Sequence, residues 1–553
     1  MAEAVRIAFL GGLGEIGRNC AVVEQHKRLL IIDCGVMFPD PEMPGVDLVL
    51  PDFTYLKENA ERVDGVVLTH GHEDHVGGLG YLLRDISATV YGSALSLGLA
   101  RNRLEESHAS AGSELVEVHD GERRMIGAFD VEFIPVTHSV PQGFAIAIHS
   151  TQGVILHTGD FKLDLTPVDK RRTDLARIGA LADSAGIRLV LADSTNAEEP
   201  GFTRSERSVG ETFRQIFVEH QHRRVVVACF ASHIHRIQQV ADAAIANGRH
   251  VALLGRSMLR NVALARELGL LSIPQDALIE VETVEGREPG SVCVISTGSQ
   301  GEPMSALSLL AAGENRRLSI EENDVVVLSS HAIPGNEWAV ARVIDGLSRR
   351  GAWVIHSGVA HVHESGHAKQ GELQTMLNVA RPQSFIPVHG EYRHLLRHAR
   401  LAIEMGVPER AVLLCEDGDA VEITDEGIDF HGEVPAGYQF VDGVVGDVGE
   451  AVLRDRRVLA EEGVVVVVVT VDGRSGEIVT GPEIITRGWV YANEAEELIE
   501  DARTEVTKAI AEATGAGAHD LENLRRVVRR ATGRLVNERT RRRPMIVPVV
   551  MEA

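Results

Sequence analysis

Four metal-binding side chains fall within six residues at His70-Gly71-His72-Glu73-Asp74-His75, directly after the apolar run Gly65-Val66-Val67-Leu68-Thr69. His70 and His72 are two apart, a spacing that puts them on one side of extended chain but on opposite sides of a helix. They can chelate one ion from a loop, while Asp74 and His75 turn toward a second. Imidazole and carboxylate donors suit zinc, manganese and similar divalent ions. The alternative is a polar surface loop that happens to contain histidines. One histidine would fit that alternative; four ligands just past a buried strand do not. Three further candidates close other apolar runs: His138 after residues 133–137, Asp160 after residues 154–159 and His389 after residues 385–388. Each alone is more often structural. Strands lying side by side would bring all of them to one edge of the sheets.

The glycine pattern Gly12-x-Gly14-x-x-Gly17 also follows a strand. A dinucleotide site needs a helix directly after such glycines. Here the chain runs on through Arg18-Asn19-Cys20-Ala21-Val22-Val23 to Leu29-Leu30-Ile31-Ile32, a hairpin-like pair of strands. The glycines therefore read as a tight loop.

The chain of 553 residues is too long for one core, and two to four domains are expected. Hydrophobic residues at 44% and charged residues at 24% describe a globular protein. Aromatics at 4% argue against bases being held mainly on stacking platforms. A net charge of −25 and a pI of about 5.4 argue, taken whole, against a nucleic-acid partner. A substrate feels the local field, however. Between residues 221 and 266 stand Arg223, Arg224, Arg236, Arg249, Arg256, Arg260 and Arg266 against the single acid Asp242. That segment reads either as a phosphate-binding surface or as ordinary solvated helix faces. The cysteines Cys20, Cys34, Cys229, Cys293 and Cys415 are scattered, odd in number and without a C-x-x-C pair, which points to a reducing cytoplasm. No signal peptide is read at the N-terminus. The longest apolar run, Val464 to Val469, is too short to span a membrane, so no membrane association is expected.

Residues 1–204 read as short strands ending in polar loops. Residues 205–355 alternate strands with helices, the pattern of a parallel sheet covered on its faces. The first style returns at 356–445. Residues 446–462 are charged and read as a connector. Residues 463–553 read as a small α+β domain with a strand at 464–471, a turn at Asp472-Gly473, a strand near 477–480, helices near 493–513 and 519–539, and a last strand at 545–550.

H-x-H-x-D-H, a later His, Thr158-Gly159-Asp160 and a distant His together resemble the metallo-β-lactamase pattern. The resemblance implies that His70, His72 and His138 hold one divalent ion, that Asp74, His75 and His389 hold another, and that Asp160 bridges them. Asp33, in Ile31-Ile32-Asp33-Cys34-Gly35, matches the early Asp of that family and would orient the ligand loop. The α/β segment between the ligands resembles the insertion of the β-CASP nucleases. Their added motifs have matches at Asp193, His367 and His389. With Gly11-Gly12 through Glu15-Ile16-Gly17, and with Pro44-Gly45-Val46-Asp47-Leu48, the chain is similar over nearly its whole length to the ribonuclease J family.

That resemblance implies a multidomain α/β protein: a metallo-β-lactamase αββα sandwich, an inserted β-CASP α/β domain and a small α+β C-terminal domain. It implies a metal-dependent ribonuclease working 5′→3′ from 5′-monophosphate ends of single-stranded RNA, with added endonuclease activity, in mRNA decay and in rRNA and other RNA maturation. Two zinc or manganese ions per subunit would serve it. Asp74, Asp160, Asp193 and His367 would be catalytic, with Asp193 orienting its neighbouring histidine and His367 steadying the leaving oxygen. The loops Ser232-His233-Ile234 and His363-Glu364-Ser365-Gly366-His367 would touch substrate, since their backbone N–H groups can nest anions; residues 330–337 form a similar polar loop. Glu364 departs from the small or apolar neighbour expected there. The resemblance also implies a structural cation such as calcium at Gly45, Asp47 and Asp442, self-association through the C-terminal domain as a dimer or tetramer, and a place in an RNA-degradation complex. The C-terminal helix carries Arg525, Arg526, Arg529, Arg530, Arg534 and Arg539, followed by Arg541 to Arg543. A solvated basic face and direct RNA contact both remain open for it. The competing functions are a DNA nuclease of the same superfamily, a small-molecule metallo-hydrolase, and a catalytically dead scaffold.

Overall fold

A computed structural model describes residues 2–40, 42–106, 113–333, 335–443, 445–489 and 492–553; Pro334, within the polar loop at 330–337, lies outside them. The chain divides into two compact units, Met1–Met37 with Leu50–Tyr438, and Phe38–Val49 with Gln439–Ala553.

In the first unit two large sheets face each other. The eight-stranded sheet runs in the order Gly427–Glu433, Asp419–Thr424, Val5–Gly11, Cys20–Gln25, Arg28–Ile32, Val63–Val67, Val90–Gly92, Leu115–Glu117. The six-stranded sheet runs Ser384–Val388, Ile187–Asp193, Gly153–His157, Gly143–Ser150, Phe129–Val136, Arg123–Ile126. Phe9, Val23 and Ile32 from one sheet meet Phe133, Phe144, Ile155 and Leu191 from the other. Strand alternation divides each element between two layers. In Phe129–Val136, Phe129, Val131 and Phe133 enter the core between the sheets. Ile134 and Val136 point the other way, into a layer shared with Ile178, Leu181, Met376, Leu377 and Leu401 on helices Leu175–Ser184, Gln370–Ala380 and Tyr392–Glu404. Both faces are apolar because both are covered.

The chain leaves the six-stranded sheet after Asp193 and re-enters it at Ser384. The strands before and after this excursion are parallel neighbours, with Asp193 opposite Val388. Between them lies a third sheet, Leu278–Ile279, His250–Leu254, Val292–Ser296, Val225–Ala228, Val325–Leu328, Trp353–Ile355, parallel throughout. Phe213, Phe217, Ile237, Val240, Met258 and Val262 cover one face. Leu307, Leu310, Val343 and Leu347 cover the other.

In the second unit, Val464–Val471 is the centre of a three-stranded sheet flanked by Ile478–Arg487 and Met545–Glu552. Its inward valines, Val465, Val467, Val469 and Val471, pack with Val506 and Ile510 of helix Ala492–Gly515 and with Val528 and Val536 of helix Leu521–Thr540. The segment read from sequence as a charged connector, 446–462, contains a 13-residue helix, Glu450–Glu462, with Leu453 buried. Its alanine, leucine, arginine and glutamate content favours helix although it carries little to bury. Gly45 and Asp442, expected to hold a cation, are joined instead by Arg456, whose guanidinium donates to the Gly45 carbonyl at 3.0 Å and to Asp442 Oδ2 at 2.5 Å. Asp47 Oδ2 accepts from the backbone N–H of Gly443 at 2.7 Å. A protein side chain thus supplies positive charge at the Gly45 and Asp442 oxygens.

Candidate metal centre and active site

The ligand loop leaves strand Val63–Val67 and turns into the short helix Glu73–Val76, for which His72 is the extended N-cap residue at φ −72°, ψ 154°. Asp33 holds this turn from the neighbouring strand. Its Oδ1 accepts from Thr69 N at 2.8 Å, and its Oδ2 lies 2.7 Å from both Thr69 Oγ1 and His75 Nδ1. The fit against the early strands is close: a Cβ on Gly35 would stand 1.6 Å from the Asp74 carbonyl oxygen. The glycine loop at 12–17 serves the same centre. The carbonyl of Gly12, at φ 95°, accepts the backbone N–H of His389 at 3.1 Å. Asn19 Nδ2 donates to the Asp74 carbonyl at 3.1 Å. Asp33 and His389 both sit at positive φ, 60° and 54°, strain of the kind that collects at working sites.

The seven candidate ligands converge, with Asp193 and His367, in three overlapping groups: His70, His72, His138 and Asp160; Asp74, His75, Asp160 and His389; and Asp160, Asp193, His367 and His389. His72 Nδ1 lies 3.0 Å from His70 Nε2 and 3.1 Å from His138 Nε2. Asp160 Oδ2 lies 3.6 Å from His70 Nε2, 3.3 Å from His75 Nε2 and 3.8 Å from His138 Nε2. That oxygen is buried and has no hydrogen-bond partner among the described residues. An orphaned buried carboxylate oxygen is costly, and a cation among these nitrogens would satisfy it. The donor set and this orphan fit divalent ions.

The first two groups differ in charge. Burial, which outweighs Asp74 and Asp160, pushes His72 down to about 4, and burial likewise lowers His70 and His138. Burial also opposes charge on His389 and His75. At His389, however, Asp160, Asp193 and Asp74 outweigh burial and hold it up to about 10; Asp160, Asp74 and Asp33 do the same for His75, well above the usual imidazole range. The carboxyls of Asp74, Asp160 and Asp193 are buried too, yet neighbouring imidazoles hold them below the ordinary range. Ligating imidazoles must be neutral. At pH 7, uptake of an ion by the His75–His389 group is therefore expected to release protons, and uptake by the His70–His72–His138 group is not. Calorimetric titration in buffers of differing ionisation enthalpy checks this; equal proton release for both ions contradicts it.

His367 stands at the rim of the cluster. Its Nδ1 lies 2.8 Å from Asp193 Oδ2, and its ring remains 20% exposed. Thr195 Oγ1 donates to Asp193 Oδ1 at 2.7 Å and lies 2.9 Å from His389 Nδ1. The loop 363–367 is pinned from three sides. Lys162 Nζ donates to the Ser365 carbonyl at 3.1 Å, Asn196 Nδ2 donates to Ser365 Oγ at 2.8 Å, and His138 Nδ1 lies 2.8 Å from the Gly366 carbonyl. Asn19, Lys162, Thr195 and Asn196 were not singled out in the sequence. The available signal was position, since each lies within two or three residues of a motif residue or, for Asn19, closes the glycine loop.

A polar pocket of about 330 Å³ adjoins this loop, lined by residues that include Phe202, Arg204, His331, His361, His363 and Glu364. Glu364 is buried with Oε2 3.5 Å from His361 Nε2, so an imidazole accompanies its charge. His363 Nδ1 and His233 Nε2 are buried without hydrogen-bond partners among the described residues. Ile234, expected at the substrate, packs its side chain into the core of the inserted sheet, leaving only backbone to offer. The arginine surface also needs correction. Arg224 pairs with Asp324, Arg236 with Glu206, and Arg249 donates to the carbonyls of His220, Arg223 and Val292, all three being buried. Of the seven, only Arg223, Arg256, Arg260 and Arg266 lie outside the core.

Comparison with known proteins places this geometry. Residues 13–192 match the metallo-beta-lactamase superfamily, 222–347 the beta-CASP domain of ribonuclease J, 354–412 the Zn-dependent metallo-hydrolase RNA specificity domain and 451–553 the ribonuclease J C-terminal domain. Ribonuclease J of Mycobacterium tuberculosis (strain ATCC 25618 / H37Rv) is 44% identical over 99% of this chain and 97% of its own. Ribonuclease J2 of Bacillus subtilis (strain 168) is 40% identical over 100% of this chain and 99% of its own. The chain belongs to the ribonuclease J family. As a family member it is a metal-dependent hydrolase acting on RNA. The ribonuclease J of Corynebacterium glutamicum (strain ATCC 13032) is 39% identical, and this chain covers 76% of it. A crystal structure of a protein of unknown function from Enterococcus faecalis V583 superposes with a TM-score of 0.53 over 76% of this chain and 100% of that one, at 15% identity, which is a likeness of fold.

Proposed function

We propose that this ribonuclease degrades single-stranded RNA 5′→3′ from 5′-monophosphate ends and also cuts internally, in mRNA decay and in rRNA and other RNA maturation. The observation that carries the reading is the seam at loop 363–367. One side of that loop is tied to His138 of the metal cluster, and the other lines the polar pocket. A chain end seated in such a pocket would present the next linkages to the cluster. His70, His72 and His138 would hold one zinc or manganese ion, Asp74, His75 and His389 a second, and Asp160 both. When bound, the ions polarise the phosphate and lower the pKa of water from 15.7 to about 7.

The chain's own groups supply the rest. Asp33 orients His75. Asp193 orients His367 and, with Asp160, outweighs burial to raise its pKa, which keeps a proton available for the departing oxygen at neutral pH. Asp193→Asn removes the larger of the raising influences. Activity that depends on protonated His367 is then expected to fall off at lower pH than in the wild type, with kcat down about 10²–10⁴-fold and KM little changed. A pH–rate profile of both proteins checks the sign; an unshifted alkaline limb contradicts it. A cytoplasmic location rests on the five buried, unpaired cysteines. No helix among the described residues is long and apolar enough to cross a membrane. Self-association would use residues 463–553, whose sheet leaves Ile485, Val547 and Met551 exposed.

The test of the whole reading is digestion of a 5′-monophosphorylated RNA labelled at its 3′ end, with and without added Mn²⁺ or Zn²⁺. Mononucleotides released from the 5′ end, with a 5′-triphosphate RNA resisting, are expected. RNA left intact with every metal would sink it.

A further inference from the structure

Helix Leu521–Thr540 and the three residues after it carry nine arginines against Glu522 and Glu538, in a chain whose net charge is −25. Leu524, Val528, Ala531 and Val536 turn into the core of the second unit. Two arginines bridge to the neighbouring helix Ala492–Gly515, Arg534 to Glu505 and Arg539 to Asp501, and Arg525 pairs with Glu522 at 3.4 Å. Arg526, Arg529 and Arg530 are exposed and have no acidic partner among the described residues. At about 100° per residue these three span roughly 100° of arc, and Arg526 and Arg530 point away from Leu524, Val528 and Ala531.

Folding does not account for this arrangement. Arg525 with Arg529, Arg526 with Arg530, and Arg530 with Arg534 are like-charged pairs four residues apart, which destabilise a helix. A polyanion laid along this face would relieve that repulsion.

We propose that the outer face of helix Leu521–Thr540, through Arg526, Arg529 and Arg530, is an auxiliary docking surface for the phosphate backbone of the RNA substrate, carried on a different compact unit from the metal ligands. It rests on the ribonuclease reading and adds a site to it. The surface reads charge and not sequence, as expected of phosphate contacts.

The test uses the full-length, metal-loaded protein and a triple Arg→Gln variant at 526, 529 and 530. Binding of an end-labelled RNA of about 40 nucleotides, made throughout of hydrolysis-resistant phosphorothioate linkages, is followed by fluorescence anisotropy from 50 to 200 mM KCl. Each lost phosphate contact lowers the slope of log K against log salt by about 0.7 for a single strand. The variant is therefore expected to lose about two from the slope, so that its affinity deficit is about twenty-fold larger at 50 mM than at 200 mM. Hydrolysis of an ordinary pentanucleotide should stay unchanged, and the melting temperature should not fall. A triple Arg→Lys variant should keep the wild-type slope. An unchanged slope in the Gln variant overturns the proposal, as does equal loss in the Lys variant, which would make shape and not charge responsible. Failure of the wild type to cut RNA would fall on the ribonuclease reading, while the salt slope would still report on this face.

Discussion

Asp160→Asn is expected to strip bound divalent metal from the protein and to lower RNA hydrolysis by at least about 10⁴-fold, roughly 5.5 kcal/mol of transition-state stabilisation at 1.36 kcal/mol per tenfold. The reason is placement. Asp160 belongs to all three ligand groups, and its Oδ2 faces His70, His75 and His138 without a hydrogen bond of its own. The amide is nearly the same size but lacks the charge that couples the two halves. It also lacks the charge that helps hold His389 up to about 10. Metal content by elemental analysis and hydrolysis of 5′-monophosphorylated RNA are the measurements, with circular dichroism to confirm the fold. Retention of the full metal content alongside lost activity would mean that Asp160 acts on substrate and does not hold metal.

Arg236→Met is expected to be strongly destabilising although it lies outside the metal cluster. Arg236 is fully buried on helix Ile234–Ala246. Its Nε and Nη2 donate to Glu206 at 2.6 and 2.8 Å, and its Nη1 donates to the Val362 carbonyl at 3.0 Å and to Ser329. Removing the guanidinium leaves Glu206 buried without its cation, a loss of about 3–5 kcal/mol. Replacing both residues by methionine should recover most of it, because the cost lies in the uncompensated charge. The pH dependence should reverse between the two proteins. In the wild type burial raises Glu206 but Arg236 outweighs it, so its pKa lies below 4.5. Its stabilising contribution is therefore present above 4.5 and is lost as pH falls through the folded value. In Arg236→Met burial is opposed only by the weaker pull of Lys162 and His363 and the pKa rises, so the penalty grows as pH increases above about 4.5 and shrinks toward acid. Thermal melts at pH 4.5 and 7.5 test this. Since Val362 precedes the 363–367 loop, KM for RNA should rise as well. A variant that melts like the wild type at both values would show that the pair is replaceable.

The ligand candidates were legible because each occupies the same grammatical place, a polar side chain at the end of an apolar strand. Strands are short-range objects, and their ends can be read from a few residues. The glycine loop was legible in a negative sense, since the chain beyond Gly17 continues as strand and not as helix. Arg224, Arg236 and Arg249 show where such reading stops. Along the sequence they belong to one basic segment; in the fold they point inward to Asp324, Glu206 and a set of carbonyls. The acidic partners of Arg236 and Arg224 lie 30 and 100 residues away, so no local pattern distinguishes these arginines from the ones left outside. Ile234 shows the same limit on side-chain direction. Its neighbours Ser232 and His233 are polar, but helix periodicity turns its own side chain into the core.

By itself, then, the sequence determined the chemistry on offer: imidazoles and carboxylates at strand ends, an α/β insertion between them and a small α+β unit after them. Those features come from strand and helix periodicity, which act over a few residues. Only the tertiary structure decided which groups meet. Asp193 and His389 are 3.3 Å apart because the strands on either side of the insertion pair in parallel, with Asp193 opposite Val388. Backbone hydrogen bonding between strands sets that register. The same pairing leaves Asp160 with a buried, unbonded oxygen at the middle of the cluster and leaves His367 at its rim.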